Sequence, residues 1–384
     1  MSGRTDADAV VIGAGPAGLA TSYELSRRGV SHVVLERGDS VGHTWAHLYD
    51  SLVLHTAKRM SRLPGLRFPD DTPVFPSRQN FVDYLRRYAT TFSLPIRTRA
   101  DVTEVAREKG DWIVRTRAGE ALRTRAVIVA TGIASNPQTP SLPGRDLFHG
   151  RVRHSIEYRN ADGAAGRKIV VVGVGNSAGE IASELSRSGA TVTLAIRNGT
   201  LVVPREVFGV PIQYLSIPIG YLPRRAQRWL ATAIGSTLAG VRGKSVLPAP
   251  HITGCPRVPL IGFHLVDEVR RGAVAVKGDV ASFTAGGVRF ADGTEAAADE
   301  VIFATGFRAE LRMFGGTLRT DPCGFGDRRR RVISTDQPNL YFAGHNPDVR
   351  GGIFMIGRDA RQIARIIQRG VSRDRRTSRS SIDQ

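Results

Sequence analysis

"DAVVIGAGPAGLATSYELSRRGVSHVVLER", residues 8–37, decides the fold, because it carries strand, tight turn, helix and second strand in one unbroken pattern. The apolar run 9–12 reads as a buried strand. Glycines stand at 13, 15 and 18, and helical periodicity continues to Leu25 before a second apolar run ends at Glu36. Gly13 permits the turn, Gly15 lets a backbone approach a pyrophosphate, and Gly18 lets helix and strand pack closely. Pro16 and Ala17 open a helix whose first N–H groups face the anion. Glu36 is placed to accept hydrogen bonds from an adenosine ribose.

The pattern returns in "GRKIVVVGVGNSAGEIASELSRSGATVTLAIRNG", residues 166–199, with Gly173, Gly175 and Ala178 in the glycine positions and Asn176 and Ser177 opening the helix. The expected fold class is therefore α/β with two dinucleotide-binding (Rossmann-like) domains. Laying the halves on each other puts Ile196 where Glu36 stands, followed at once by Arg197. A missing acid and a guanidinium suit a ribose 2′-phosphate, which predicts NADPH rather than NADH. Arg37 occupies the matching place in the first half, so the missing acid carries more of this argument than the arginine.

The 384 residues, 41% of them hydrophobic, suffice for a large two-lobed protein. Cys255 and Cys323 are far apart with no C-x-x-C, so neither a disulfide framework nor a redox dithiol is expected. With no signal-peptide pattern at the N-terminus, this predicts a cytoplasmic protein. The net charge of +19 raises the question of nucleic acid, yet the arginines are scattered and no nucleic-acid-binding signature accompanies them, so no such partner is expected. "GDRRRRV" at 326–332 and the tail from 369 read as a solvated loop and a frayed terminus. No segment is apolar and long enough to span a membrane, and membrane contact is not expected. A homodimer is compatible with the sequence, and no metal-ligand cluster stands out.

"FHGRVRHSIEY", residues 148–158, lies just before the second turn, and its Phe148, Gly150, His154 and Tyr158 fit F-x-G-x-x-x-H-x-x-x-Y. Read from the residues, it is a linker in which glycine allows a turn and histidine can hydrogen-bond across a joint. The spacing resembles the identifying motif of the flavin-containing monooxygenases; related Baeyer–Villiger enzymes carry tryptophan where this chain has Tyr158. "VGHTW" at 41–45 resembles the segment that runs beside the flavin in such proteins, which implies flavin contacts for Gly42, Thr44 and Trp45. "VIVATGIASNP" (127–137) and "DEVIFATGF" (299–307) each read as a strand followed by A-T-G. The resemblance makes these the crossings between lobes, with Thr131 and Gly132 on the FAD side and Thr305 and Gly306 on the NADPH side. "LVLHTAKRMSRLP", "VFPSRQNFVDYLRRYA", "LVVPREVFG" and "LYFAGH" together look like the plant YUCCA-type flavin monooxygenases and their bacterial relatives. Through them Gly344 and His345 join the expected FAD contacts, together with His55; His55, Thr56 and Lys58 are the candidates for catalytic contacts on the flavin side.

The resulting expectation is an FAD-binding domain of residues 1–163 and 300–384, the latter ending in a basic tail, with an NADPH-binding domain, 164–299, inserted between them. The insertion carries a proline-broken apolar segment near 209–250, read as helical, which bears on the substrate. By resemblance, NADPH reduces the flavin, and the reduced flavin meets O₂ to give a C4a-(hydro)peroxide. One oxygen atom then passes to a small organic substrate, in a cleft between the domains. The candidates are a 2-oxo acid such as indole-3-pyruvate, or a soft nitrogen, sulfur or carbonyl centre. The alternatives are an NADPH-dependent flavoprotein reductase passing electrons to a protein carrier, and a non-enzymatic nucleotide-sensing or membrane-associated interaction protein.

Overall fold

The computed structural model describes residues 5–214, 222–223, 225–226, 229, 246–250, 259–346 and 351–380. Most of the segment 209–250 lies outside them, as does the C-terminal end of the tail. The chain divides into two compact units. Unit 1 comprises Met1–Ala46, Thr56–Asn136 and Arg308–Gln384, and unit 2 comprises His47–His55 and Pro137–Phe307. These bounds differ from the expected ones at 47–55, 137–163 and 300–307, all of which belong to unit 2. The reason for the second is a strand pairing: Arg151–His154 runs parallel to Glu300–Phe303 and completes the sheet of unit 2.

Seven helices are used here: α1 (Pro16–Ser26), α2 (His43–Ala46), α3 (Lys58–Ser61), α4 (Arg78–Thr91), α5 (Asn176–Arg187), α6 (His264–Arg270) and α7 (Gly352–Ser380). In unit 1 the strand Ala7–Ile12 leads through α1 to His32–Leu35, its parallel neighbour, and pairs on its other side with Ala121–Val129. Leu340–Phe342 adds a further parallel strand, the hairpin Val102–Glu108/Asp111–Thr116 joins beside Ala121–Val129, and Ile96–Arg97, Arg328–Arg329 and Ile333–Ser334 bring the sheet to nine described strands. The strand 9–12 is fully apolar because it is covered on both faces, as a central parallel strand must be. Val10, Ile12, Val127, Val129 and Phe342 share one core with Trp112 and Phe314. Helix α7 packs on α1, and its Met355, Ile356, Ala360, Ile363 and Ala364 recur at helical spacing and are buried.

Unit 2 repeats the scheme on its own sheet, five parallel strands in the order 274–277, 191–195, 168–172, 300–303 and 151–154. Helix α5 connects the second and third of these. A small antiparallel sheet, Val280–Thr284, Gly287–Phe290 and Glu295–Ala297, packs Phe283 and Phe290 against Phe303 and Phe148.

Three expectations are corrected. The tail is helical through Ser380, as the terminal turns of α7, whose buried apolar face extends to Ile367 and Val371. "GDRRRRV" is a β-hairpin rather than a solvated loop: Arg328–Arg329 pairs with Ile333–Ser334 around Arg330 and Arg331, both at positive φ, and Arg328 and Arg331 point inward. Cys323 is disulfide-bonded, where no disulfide framework was expected.

A Cβ at Gly18 would overlap the carbonyl oxygen of Gly13. Gly18→Ala should therefore cost about 3 kcal/mol or more, read by urea unfolding followed by circular dichroism. Gly15→Ala, where a Cβ meets nothing within 4 Å, should stay within 1 kcal/mol of the parent, roughly the helix-terminus propensity difference.

Candidate cofactor sites

In unit 1 the site is built around the start of α1. Gly13 (φ 106°) turns the chain at the end of its strand, and a Cβ there would stand 2.6 Å from the carbonyl oxygen of Ala130, the alanine of the first A-T-G. Gly15 is the N-cap, with extended φ/ψ and no side chain bonded to the helix amides. The first N–H groups of α1 thus face open space with the positive end of the helix dipole behind them, an arrangement suited to a pyrophosphate. Glu36, 7% exposed, accepts from the amides of Ala14 (2.7 Å) and Gly38 (2.8 Å). Two bonds leave half of the acceptor capacity of its carboxylate for ribose hydroxyls. Arg37, beside it, is exposed.

Other expected residues assemble here. The Gly42 amide donates to Ala14 O (3.1 Å), which ties "VGHTW" to the turn, and Trp45 sits half-buried, edge-on to Phe81 at 4.6 Å with Thr44 beside it on α2. Thr131 and Gly132 (φ 77°) follow Ala130 directly. Gly344 (φ 76°) abuts α1, for a Cβ on it would lie 3.0 Å from that of Ala17.

Four candidates are placed differently. The Lys58 ammonium donates to the carbonyls of Asp70 (2.9 Å) and Thr72 (2.6 Å) and so staples a loop. Thr56 shares a hydrogen bond with Ser61 (2.6 Å), and His55 lies in unit 2, where its Nε2 meets Glu180 Oε1 at 2.6 Å. The His345 ring has no exposed atom; it packs beside Phe325 and Phe342, and both of its nitrogens lack a partner among the described residues. What it offers to its surroundings is backbone, with the carbonyl accepting from Arg328 (2.9 Å).

In unit 2 the turn is rebuilt on the same plan. Gly173 (φ 126°) is pressed against the carbonyl of Ala304, the alanine of the second A-T-G, and Gly175 is an N-cap without a side-chain bond, with open space above it. The amide of Gly13 donates to Leu35 O in one half and that of Gly173 to Ala195 O in the other, at 2.7 and 2.9 Å. Ile196 is buried and Arg197 exposed. Ala178 is fully buried. Asn176 clamps a neighbouring segment, donating to Pro259 O (3.2 Å) and accepting from Ile261 N (2.8 Å), while Ser177 bonds to Tyr49.

The 148–158 motif is part of this scaffold. Gly150 leaves no room for a Cβ, which would strike the Phe148 ring and come within 2.7 Å of Asp299 O. His154 Nδ1 accepts from the Ile156 amide (3.2 Å), which puts the proton on Nε2 to donate to Gly306 O (3.1 Å). Burial holds this histidine neutral by lowering its pKa. Thr305 bonds to Gln138 O, and Tyr158, fully buried, lies under the Arg153 guanidinium at 5.0 Å.

Sequence reasoning missed Glu180, which joins Tyr49 and His55 to α5, and Asp359, a carboxylate inside α7. For Asp359 a signal existed: it interrupts the apolar periodicity of that helix. Among the described residues no helix is long and apolar enough to cross a membrane, and no cluster of three or more His, Cys, Asp or Glu is arranged to hold a metal.

Two open, uncapped helix starts, one with a carboxylate at the end of the following strand and one without, suit a flavoprotein that takes electrons from a nicotinamide coenzyme. Comparison with known proteins narrows the class. The family of pyridine nucleotide-disulphide oxidoreductases matches residues 10–206. An indole-3-pyruvate monooxygenase, YUCCA1, of Oryza sativa subsp. japonica is 39% identical over 315 residues, 79% of this chain and 77% of the relative. A probable YUCCA1 of Arabidopsis thaliana is 35% identical, covering 81% and 78%. The solved flavin-containing monooxygenase of Stenotrophomonas maltophilia superposes with a TM-score of 0.75 at 27% identity, over 95% of this chain and 99% of that one. The chain belongs to the class B flavin monooxygenases, in the family of the YUCCA enzymes. It is an oxidoreductase that uses FAD, NADPH, O₂ and a small-molecule substrate, and the carrier-reductase alternative is not favoured.

Burial, with Arg328 nearby, pulls the His345 pKa from 6.5 down to about 3. The folded protein keeps this ring neutral while the unfolded chain protonates below pH 6.5. Its contribution is therefore fully present above that pH and lost as the pH falls from 6.5 towards 3, by ~1.4 kcal/mol per unit. Urea unfolding at pH 7.5, 6.5 and 5.5 should show a steeper acid loss for the parent than for His345→Phe; equal slopes would remove His345 as the cause.

Proposed function

We propose that unit 1 is the FAD-binding domain and unit 2 the NADPH-binding domain, and that the enzyme oxygenates a 2-oxo acid of the indole-3-pyruvate type. The observation that carries the assignment is the contrast between Glu36 and Ile196 at equivalent ends of two otherwise matching turns. The open start of α1 would take the FAD pyrophosphate and Glu36 its ribose. The open start of α5 would take the NADPH pyrophosphate, with Arg197 on the 2′-phosphate. The substrate class is supported by the relatives named above. Bound FAD supplies the activation of O₂; the protein's part is to hold both dinucleotides, orient the substrate and exclude water. The overall change would be R–CO–COO⁻ + O₂ + NADPH + H⁺ giving R–COO⁻ + CO₂ + H₂O + NADP⁺. The C–C bond to the carboxylate breaks, one oxygen atom enters the product and the other leaves as water. The enzyme would act without nucleic acid in the cytoplasm, where NADPH is regenerated, and a homodimer is compatible with this reading.

A panel of indole-3-pyruvate, phenylpyruvate, a thioether and a tertiary amine tests the substrate class. The 2-oxo acids should stimulate NADPH oxidation with CO₂ release near one to one and little hydrogen peroxide. Coupled turnover of the thioether or amine alone would contradict the class. For the coenzyme, a charge-assisted bond contributes about 1.5–3 kcal/mol, so Arg197→Ala should raise KM for NADPH about ten- to a hundredfold and leave NADH nearly unchanged. Equal loss with both coenzymes would assign Arg197 to the fold or the adenine instead.

A further inference from the structure

Asp359 is fully buried on α7, among Met355, Ile356, Ala360 and Ile363. A carboxylate in such surroundings is costly unless donors surround it. It has three. Arg331 Nε donates to Oδ1 (3.2 Å), Asn346 Nδ2 donates to Oδ2 (3.0 Å), and the backbone amide of Gly344 donates as well. Asn346 also donates to Arg331 O (3.0 Å) and accepts from Arg328 Nε (3.1 Å). Arg328 donates in turn to His345 O (2.9 Å) and Gly326 O (2.8 Å).

Every residue of the turn Gly344–Asn346 is thus held by this network: Gly344 through its amide, His345 through its carbonyl, Asn346 through its side chain. The turn follows the strand Leu340–Phe342, whose next amide, Ala343 N, donates to Val129 O (2.9 Å), at the strand end that leads into the first A-T-G. Gly344 packs on Ala17 in the first turn of α1. A buried ionic network adds little net stability over an apolar filling of the same volume, but its directional bonds select one geometry. Here that geometry is the position of the 344–346 turn against the helix start at Gly15.

We infer that Asp359, through Arg331, Asn346 and Gly344, is a positioning residue for FAD: it sets the turn that closes the dinucleotide site of unit 1 against α1 and touches no cofactor itself. This rests on the assignment of FAD to that site.

The test measures FAD released on serial dilution of the holoenzyme, by the rise in flavin fluorescence, alongside the thermal midpoint. Asp359→Asn should raise the Kd for FAD at least tenfold, but it also leaves the half-buried Arg331 without its counter-charge and lowers stability. The double variant Asp359→Leu with Arg331→Met removes both charges and should recover a parent-like midpoint, while its Kd for FAD stays raised at least tenfold. A double variant that regains both the midpoint and the parent Kd would show that the network only stabilises the fold, and would overturn the inference. So would Asp359→Asn with the parent Kd. If Asp359→Asn does not fold, the double variant alone decides. Should the parent protein itself carry no FAD, the assignment of the site fails first, and the inference with it.

Discussion

Two carbonyl oxygens, those of Ala130 and Ala304, impose the constraint on which both halves of this protein depend. Each stands where a Cβ on Gly13 or Gly173 would have to go. The chain can leave its first strand, turn at positive φ beside the neighbouring strand and start a helix only if the turning residue has no side chain. Once that turn is made, the helix begins at a glycine without a cap, and its unpaired N–H groups point into open space. The A-T-G motifs and the glycine-rich turns, separated by more than a hundred residues in each half, are therefore two sides of the same steric contact.

On this common frame the halves differ at a few positions. Gly18 meets the Gly13 carbonyl so closely that no Cβ fits, whereas the second turn accommodates Ala178. Glu36 is bound to the amides of Ala14, in the first turn, and of Gly38, just beyond its own strand, and keeps free lone pairs; Ile196 is an apolar side chain at the same strand end, next to an exposed Arg197. A difference of one residue type separates a turn that can recognise ribose hydroxyls from one suited to a phosphate. The 148–158 motif serves the second half by geometry: it adds the edge strand 151–154 to the sheet and ties His154 to Gly306.

What the sequence made legible was whatever local rules dictate. Glycines at fixed offsets, the switch from strand to helical periodicity, the terminal acid and the A-T-G strands all act within a few residues or through backbone alone. The less legible features depend on long-range contacts. Lys58 could not be recognised as a loop staple without knowing that the carbonyls of Asp70 and Thr72 converge on it. His55 needed Glu180, more than a hundred residues away, to be drawn into unit 2. The four arginines of 328–331 look like a solvated run until His345, Asn346 and Asp359 appear beneath two of them. The residues from 369 read as a frayed terminus because their many arginines obscure an apolar face of α7 that continues to Val371.

The central claim is that the two helix starts hold different dinucleotides, and one titration tests it directly. Gly15→Val and Gly175→Val place a side chain in the open space above α1 and α5, respectively, and neither meets protein atoms at its Cβ. FAD content and the KM for NADPH are measured on the parent and both folded variants. The account predicts that Gly15→Val loses FAD, and that Gly175→Val keeps FAD but raises the KM for NADPH at least tenfold. Full FAD retention by Gly15→Val, or loss of FAD from Gly175→Val with an unchanged fold, would contradict it.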